Sequence, residues 1–104
     1  MTDLEYAEQR IEIGFEKYHL PEYMMGGVKL WVLEAVPPGG FLTALLKNDF
    51  LGACGQADDN NSRLLWEWAG FLYNEVPAAC KGSVEAVLNW QGLRRMYAGV
   101  EDTP

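Results

Sequence analysis

Residues able to do chemistry cluster in a few places along this sequence. The first is "VPPGGFLTALLKNDF", Val36 to Phe50, where Gly39 and Gly40 lead into an apolar run opened by Phe41. A helix starting at such a turn offers free N–H groups and a partial positive charge, which suits an anion. The spacing is not that of a GxxxxGKS/T phosphate loop, and the nearest cation, Lys47, stands at the far end of the run. A stop at Pro38, a tight turn and a helix start account for the same residues. The second place is a polar group, Asn48 and Asp49 followed by Asp58, Asp59, Asn60 and Asn61. It reads as a hydrogen-bonding or cation site, or as two helix caps worth about 1 kcal/mol each. The order of residues is not that of an EF-hand loop. The third is Arg94-Arg95 with Trp90 and Tyr97. Stacking plus arginine could hold a nucleotide base and its phosphate; positive charge at a helix C-terminus is the alternative.

Acid–base and nucleophilic chemistry find little support. His19 is the only histidine and sits at a helix entry beside Pro21. There is no GxSxG, and Cys54 and Cys80 belong to no CxxC pair and to no zinc set. The chain reads as a non-enzyme, with no catalytic residue, cofactor or metal assigned, and with reduced, buried thiols. Asp49 and Asp58 are the carboxylates to change if turnover is ever seen.

Charge narrows the partners. The formal net charge is −7, and residues 1–22 carry six carboxylates against Arg10 and Lys17. Phosphate neutralisation needs clustered Lys and Arg, so direct nucleic-acid binding and anionic membranes are disfavoured, while a basic protein is permitted. No run approaches the roughly 20 apolar residues of a membrane span, and no signal peptide is evident. A cytoplasmic protein is expected.

These groups are positioned by helices. In residues 3–18, Leu4, Ala7, Ile11, Phe15 and Tyr18 recur at helical steps. "RIEIGF" also alternates, and Gly14 weakens a helix by about 1 kcal/mol relative to Ala, so a short strand near 10–15 stays open. A second helix runs from Pro21 to the Pro37-Pro38 stop, with Met24, Val28, Trp31 and Ala35 inward. A third, Gly39 to Lys47, buries Phe41, Leu42, Leu45 and Leu46; Asn48 or Asp49 breaks it and caps a fourth, Phe50 to Ala57. The strongest signal gives a central helix near 61–76. Leu64, Leu65, Trp68, Phe71 and Leu72 form one apolar arc, and Trp66, Ala69 and Tyr73 a second. Only Arg63, Glu67 and Asn74 remain polar, a stripe of about 60°. Such a helix is central in the fold or covered by a partner, which predicts a homo-oligomer through Trp66, Ala69 and Tyr73. A last helix follows the Ser83 cap, with Val84, Val87, Leu88 and Trp90 packed inward or toward a neighbour and Gly92 at its end; "LRRMYAGVEDTP" reads as a turn and a loose tail.

The fold predicted is all-α: one compact domain of about five short helices. Residues 1–20 are an acidic N-terminal segment, 21–98 the helical domain and 99–104 a flexible tail. At "LPEYM", "PPGGFLTALLKNDFLGA", "ADDNN", "FLYNEVPAACKGS" and "VLNWQG" the chain resembles a family of small proteins encoded by tailed phages and prophages. The similarity covers roughly Pro21 to Gly92 and brings no catalytic residues. In that family an aromatic often stands where this chain has Lys81. The resemblance implies an accessory protein in a bacterial host cell that binds and antagonises or modulates a host defence component. Two alternatives are weighed with it. One is sequestration of a nucleotide signal in an oligomeric pocket, using Gly39, Gly40, Phe41, Asn48, Asp49, Asp58, Asn61, Trp90, Arg94 and Arg95. The other is an acidic decoy or DNA mimic.

Overall fold

Four aromatic rings meet at the centre of the molecule. Phe15, Phe41 and Phe71 pack edge-on around Trp68, at centroid separations of 5.7, 5.8 and 5.9 Å. Edge-to-face geometry sets the positive ring edge on the negative ring face, a gain beyond burial. The computed structural model describes residues 1–101 and holds, among them, eight α-helices and no strand. They are α1 (Asp3–Lys17), α2 (Met25–Glu34), α3 (Gly40–Leu46), α4 (Phe50–Gln56), α5 (Asp59–Ser62), α6 (Leu65–Glu75), α7 (Val84–Asn89) and α8 (Leu93–Glu101). Single 3₁₀ turns occupy Glu22–Met24 and Ala78–Cys80. The all-α class is the one the periodicity predicts.

α1 is a helix throughout, so the short strand considered near 10–15 is not formed. A capping box of Thr2 and Glu5 starts it. Ile11 and Phe15 are buried while Ile13 is 54% exposed, so the apparent two-residue alternation was a coincidence of helical spacing. Gly14 is where α6 comes close: a Cβ there would lie 2.7 Å from Phe71 Cε1. α1, within the acidic segment of residues 1–20, thus feeds the same core as the rest of the chain.

The central helix is shorter than predicted. It breaks at Arg63 and Leu64, leaving α5 as one turn and α6 as the true central rod. The break lets Asn61 turn inward, where its Oδ1 accepts the Trp68 indole N–H at 2.8 Å. α6 then lays Trp68, Phe71 and Leu72 on the core.

The C-terminal third is tied to α2 through two indoles. Trp31 Nε1 donates to the Cys80 carbonyl at 3.2 Å, and Trp90 Nε1 donates to the Trp31 carbonyl at 2.8 Å. Gly92, at φ +88°, crosses the end of α2 so closely that a Cβ would sit 2.6 Å from the Leu33 carbonyl oxygen. Only glycine combines that dihedral with that approach. Val84 and Leu88, expected to pack inward or toward a neighbour, are 51% and 74% exposed. α7 has only six residues and packs through Val87, leaving its other side in solvent. The predicted turn after Gly92 is helix α8 instead, anchored by buried Leu93 and half-buried Tyr97 one turn apart. Its helix runs to Glu101; residues 102–104 of the expected tail lie outside the described residues.

Candidate functional site

The sequence signals separate in space. Gly39 is the N-cap of α3 and Gly40 its first residue. The helix has seven residues, its cap makes no side-chain hydrogen bond, and Gln56 Oε1 lies 2.9 Å from where a Gly40 Cβ would be. Phe41 is buried against Trp68. These three residues start a helix and fill the core.

The Asn/Asp group divides into caps. Asp49 Oδ1 accepts the Gly52 N–H at 2.9 Å and opens α4. Asp58 Oδ1 accepts the Asn61 N–H at 2.8 Å and opens α5, while its other oxygen takes the Tyr23 hydroxyl. That phenol, and next the Asn61 amide, hold the Asp58 carboxyl below its ordinary value, and Asp58 raises Tyr23 in return. Asn61, 2% exposed, is occupied by Trp68.

Two members of the basic–aromatic patch, Trp90 and Arg94, are likewise spent in the fold. Trp90 is buried with its N–H bonded to Trp31, and Arg94 Nε lies 3.0 and 2.8 Å from the two carboxylate oxygens of Glu34. Arg95 is exposed. None of these three lines a cavity with Gly39, Gly40 or Asp58. The nucleotide set predicted from sequence is therefore not gathered into one site on a single chain.

What the fold does gather is an open cleft of about 470 Å³ beside α6. Trp66, Ala69 and Tyr73, the second apolar arc, form one wall; Asn48, Asp49 and Phe50 come from the α3–α4 joint, and Lys81 and Gly82 from the segment before α7. Trp66 and Tyr73 are 85% and 81% exposed, with Phe50 at 60%. Local geometry sets each wall. Asn48, at φ +66°, turns the chain sharply between α3 and α4, a conformation Asn tolerates better than most residues. Gly82 has φ +105°, and its N–H bonds the Leu46 carbonyl at 2.7 Å, which pins Lys81 to the end of α3. Lys81 Nζ lies 3.2 Å from the Val76 carbonyl. The lining is apolar, with one carboxylate and one ammonium among its residues.

Sequence reasoning found Trp66, Ala69, Tyr73, Asn48 and Asp49 but assigned them to different sites. It missed Phe50 and Gly82 as lining and pointed to Lys81 only through the family resemblance. A glycine directly before the Ser83 cap was the available signal, since it marks a turn that aims its neighbour.

A second cleft of about 300 Å³ lies between α1 and α8, lined by Asp3, Tyr6, Arg10, Glu75 and Tyr97 among others. Two of its charges are paired: Arg10 reaches Glu75 at 2.8 Å, and it also meets the Tyr6 hydroxyl at 3.1 Å. Those hydrogen bonds, Tyr6 first and Glu75 second, raise the Arg10 pKa. On the acidic α1 face, Lys29 is shared by Glu8 and Glu12 at 3.4 and 2.6 Å, which partly neutralises that face. Cys80 is buried but Cys54, expected buried, is exposed, because α4 turns only Ala53 fully into the core. Among the described residues, no group of three or more His, Cys, Asp or Glu could hold a metal ion, and no helix is long and apolar enough to cross a membrane.

No family model, curated protein or solved structure matches this chain.

Proposed function

We propose that this chain is a small non-catalytic accessory protein of the phage type that acts by association. It engages a component of its bacterial host, in the cytoplasm, and antagonises or modulates it. The apolar cleft beside α6 is the association surface. One observation carries this reading: Trp66 and Tyr73 stand 85% and 81% exposed on the wall of a cleft whose other residues are mainly apolar. Exposed aromatics of this kind are enriched at the energetic centres of interfaces, and a contiguous apolar patch on a small domain marks an interaction site. Affinity capture from infected host cells tests it. Trp66→Ala and Tyr73→Ala should each lose the captured component at least tenfold while keeping native helicity. Capture that survives both changes would overturn the reading.

The nucleotide alternative draws on Lys81, Trp66 and Tyr73 lining the same cleft, which supplies one cation and two stacking faces. Thermal shift against a nucleotide panel separates it, because a ligand at 100 times its Kd stabilises by about 2.7 kcal/mol. No shift with any nucleotide removes it.

A further inference from the structure

We propose that in the free protein the α6 face is covered by a second copy of this chain, packed antiparallel about a two-fold axis near Ala69, which the host component displaces. The inference rests on the reading above that this face is an association surface.

The exposed stripe of α6 is Trp66, Ala69 and Tyr73: an aromatic, a small residue, an aromatic. The two aromatics are seven residues apart, about 10.5 Å along the helix. An isologous contact matches a patch to itself reversed. Reversing this stripe about its middle sets each Trp66 against the partner's Tyr73 and brings the two alanines face to face. Ala69 is the residue that lets two helices approach closely. A stripe of aromatic, small and aromatic is thus its own complement, whereas a stripe graded from large to small would not be.

The cleft makes the match reciprocal. It runs along the same stripe, and Leu45 and Phe50 supply the apolar part of its lining away from α6, beside Asn48, Asp49 and Lys81. A bulky side chain from the partner therefore meets apolar lining, and the same exchange happens in reverse across the axis.

Charge and area agree. The chain carries −7 overall, so most of its surface repels a second copy. This face contributes one carboxylate, Asp49, and one ammonium, Lys81, so the approach is close to neutral. A strongly basic partner would find no acidic surplus here. Trp66, Tyr73 and Phe50 expose on the order of 500 Å² of mostly apolar surface, judged from aromatic side chains of roughly 150–250 Å² each and their 85%, 81% and 60% exposure. A standard interface buries about 800 Å² per partner. The three rings fall short of that area, which suits a weak, reversible contact. A reversible dimer in the micromolar range is expected.

The molecule carries its own reporter. Trp31, Trp68 and Trp90 are 4%, 0% and 8% exposed, so Trp66 alone of the four indoles is open to a quencher. Sedimentation equilibrium over about a hundredfold range of concentration should show the mass rising from 11.7 kDa toward twice that. Acrylamide quenching of tryptophan should fall severalfold over the same range. Ala69→Arg, at an exposed position, should keep native helicity, remain monomeric throughout and quench at the dilute value. A wild-type chain that stays monomeric at about 0.5 mM overturns the inference. So does a dimer in which Trp66 stays quenchable or which Ala69→Arg leaves intact. The two readings fail separately. A monomer whose host capture is lost in Trp66→Ala sinks the dimer and keeps the association surface. A dimer split by Ala69→Arg with capture unchanged keeps the dimer and sinks the proposed function.

Discussion

Gly14→Ala sets two effects against each other, and the structure decides which wins. On helix propensity alone, replacing a mid-helix glycine in α1 gains about 1 kcal/mol. The new methyl, however, would lie 2.7 and 2.8 Å from Phe71 Cε1 and Cδ1 and 3.0 Å from Glu75 Cγ. Phe71 is 0% exposed and held edge-on by Phe15, Trp68 and Tyr18 at 5.1, 5.9 and 6.4 Å, so its ring has nowhere to swing. Glu75 is held by Arg10 at 2.8 Å and Lys17 at 3.7 Å. Forcing a methyl into such packing costs about 1–3 kcal/mol, which is set against that gain. The net expectation is a loss of up to about 2 kcal/mol, a fall in Tm of up to about 10 °C for a domain of this size. Thermal and urea unfolding followed by far-ultraviolet circular dichroism measure it. Gly26→Ala is the matched control, because a Cβ there meets no heavy atom within 4 Å, and it should stabilise by up to about 1 kcal/mol. If Gly14→Ala stabilises as much as Gly26→Ala, α1 and α6 are not as close as described.

Other expectations follow from the same contacts. Asn61→Ala leaves the buried Trp68 N–H without its acceptor and should cost about 1–3 kcal/mol in urea unfolding; an unchanged midpoint would return Asn61 to the list of ligand candidates. One thiol per native chain, Cys54, should react with an aromatic disulfide, and Cys80, fully buried and pushed up to about 11 by that burial, only after unfolding; two fast thiols would contradict the burial. The Tyr23–Asp58 contact makes stability pH-dependent at both ends. The lowered Asp58 contributes above about pH 3.9 and loses its contribution as pH falls through its folded value. The raised Tyr23 contributes below about pH 10 and loses its contribution as pH rises through its folded value. Tyr23→Phe should return the Asp58 carboxyl toward the ordinary range in an NMR titration, and an unmoved Asp58 would show that the phenol is not the cause.

Helical periodicity carried most of the fold. Ile11, Phe15, Val28, Trp31, Phe41, Leu42, Trp68 and Phe71 are buried as their spacing requires. Periodicity is local, so it failed where long-range contacts decide. Nothing in the sequence around Asn61 says that its amide will serve Trp68, because that need arises only once the indole is buried. Gly14 looked like a helix weakener because its role lies on α6, far along the chain. The α6 face was legible for a different reason. A helix with two apolar arcs announces a surplus that one core cannot absorb, and Trp66 and Tyr73 are where the surplus emerged. The cleft's other walls were not legible, since Lys81 reaches it through the Gly82 bond to Leu46, a contact no spacing rule encodes.

The two indole bonds bear on how the chain comes off the ribosome. Trp31 waits 49 residues for the Cys80 carbonyl, and its own carbonyl waits 59 residues for Trp90. Gly92 then seals the end of α2. Until those residues have been synthesised, the side of α2 that they cover has no native neighbour, and closing such long loops carries an entropic cost that only the finished contacts offset. The early helices can form in order of synthesis, but closure comes last. A chain cut short before Trp90 would therefore present an uncovered apolar helix to the cell's chaperones and proteases.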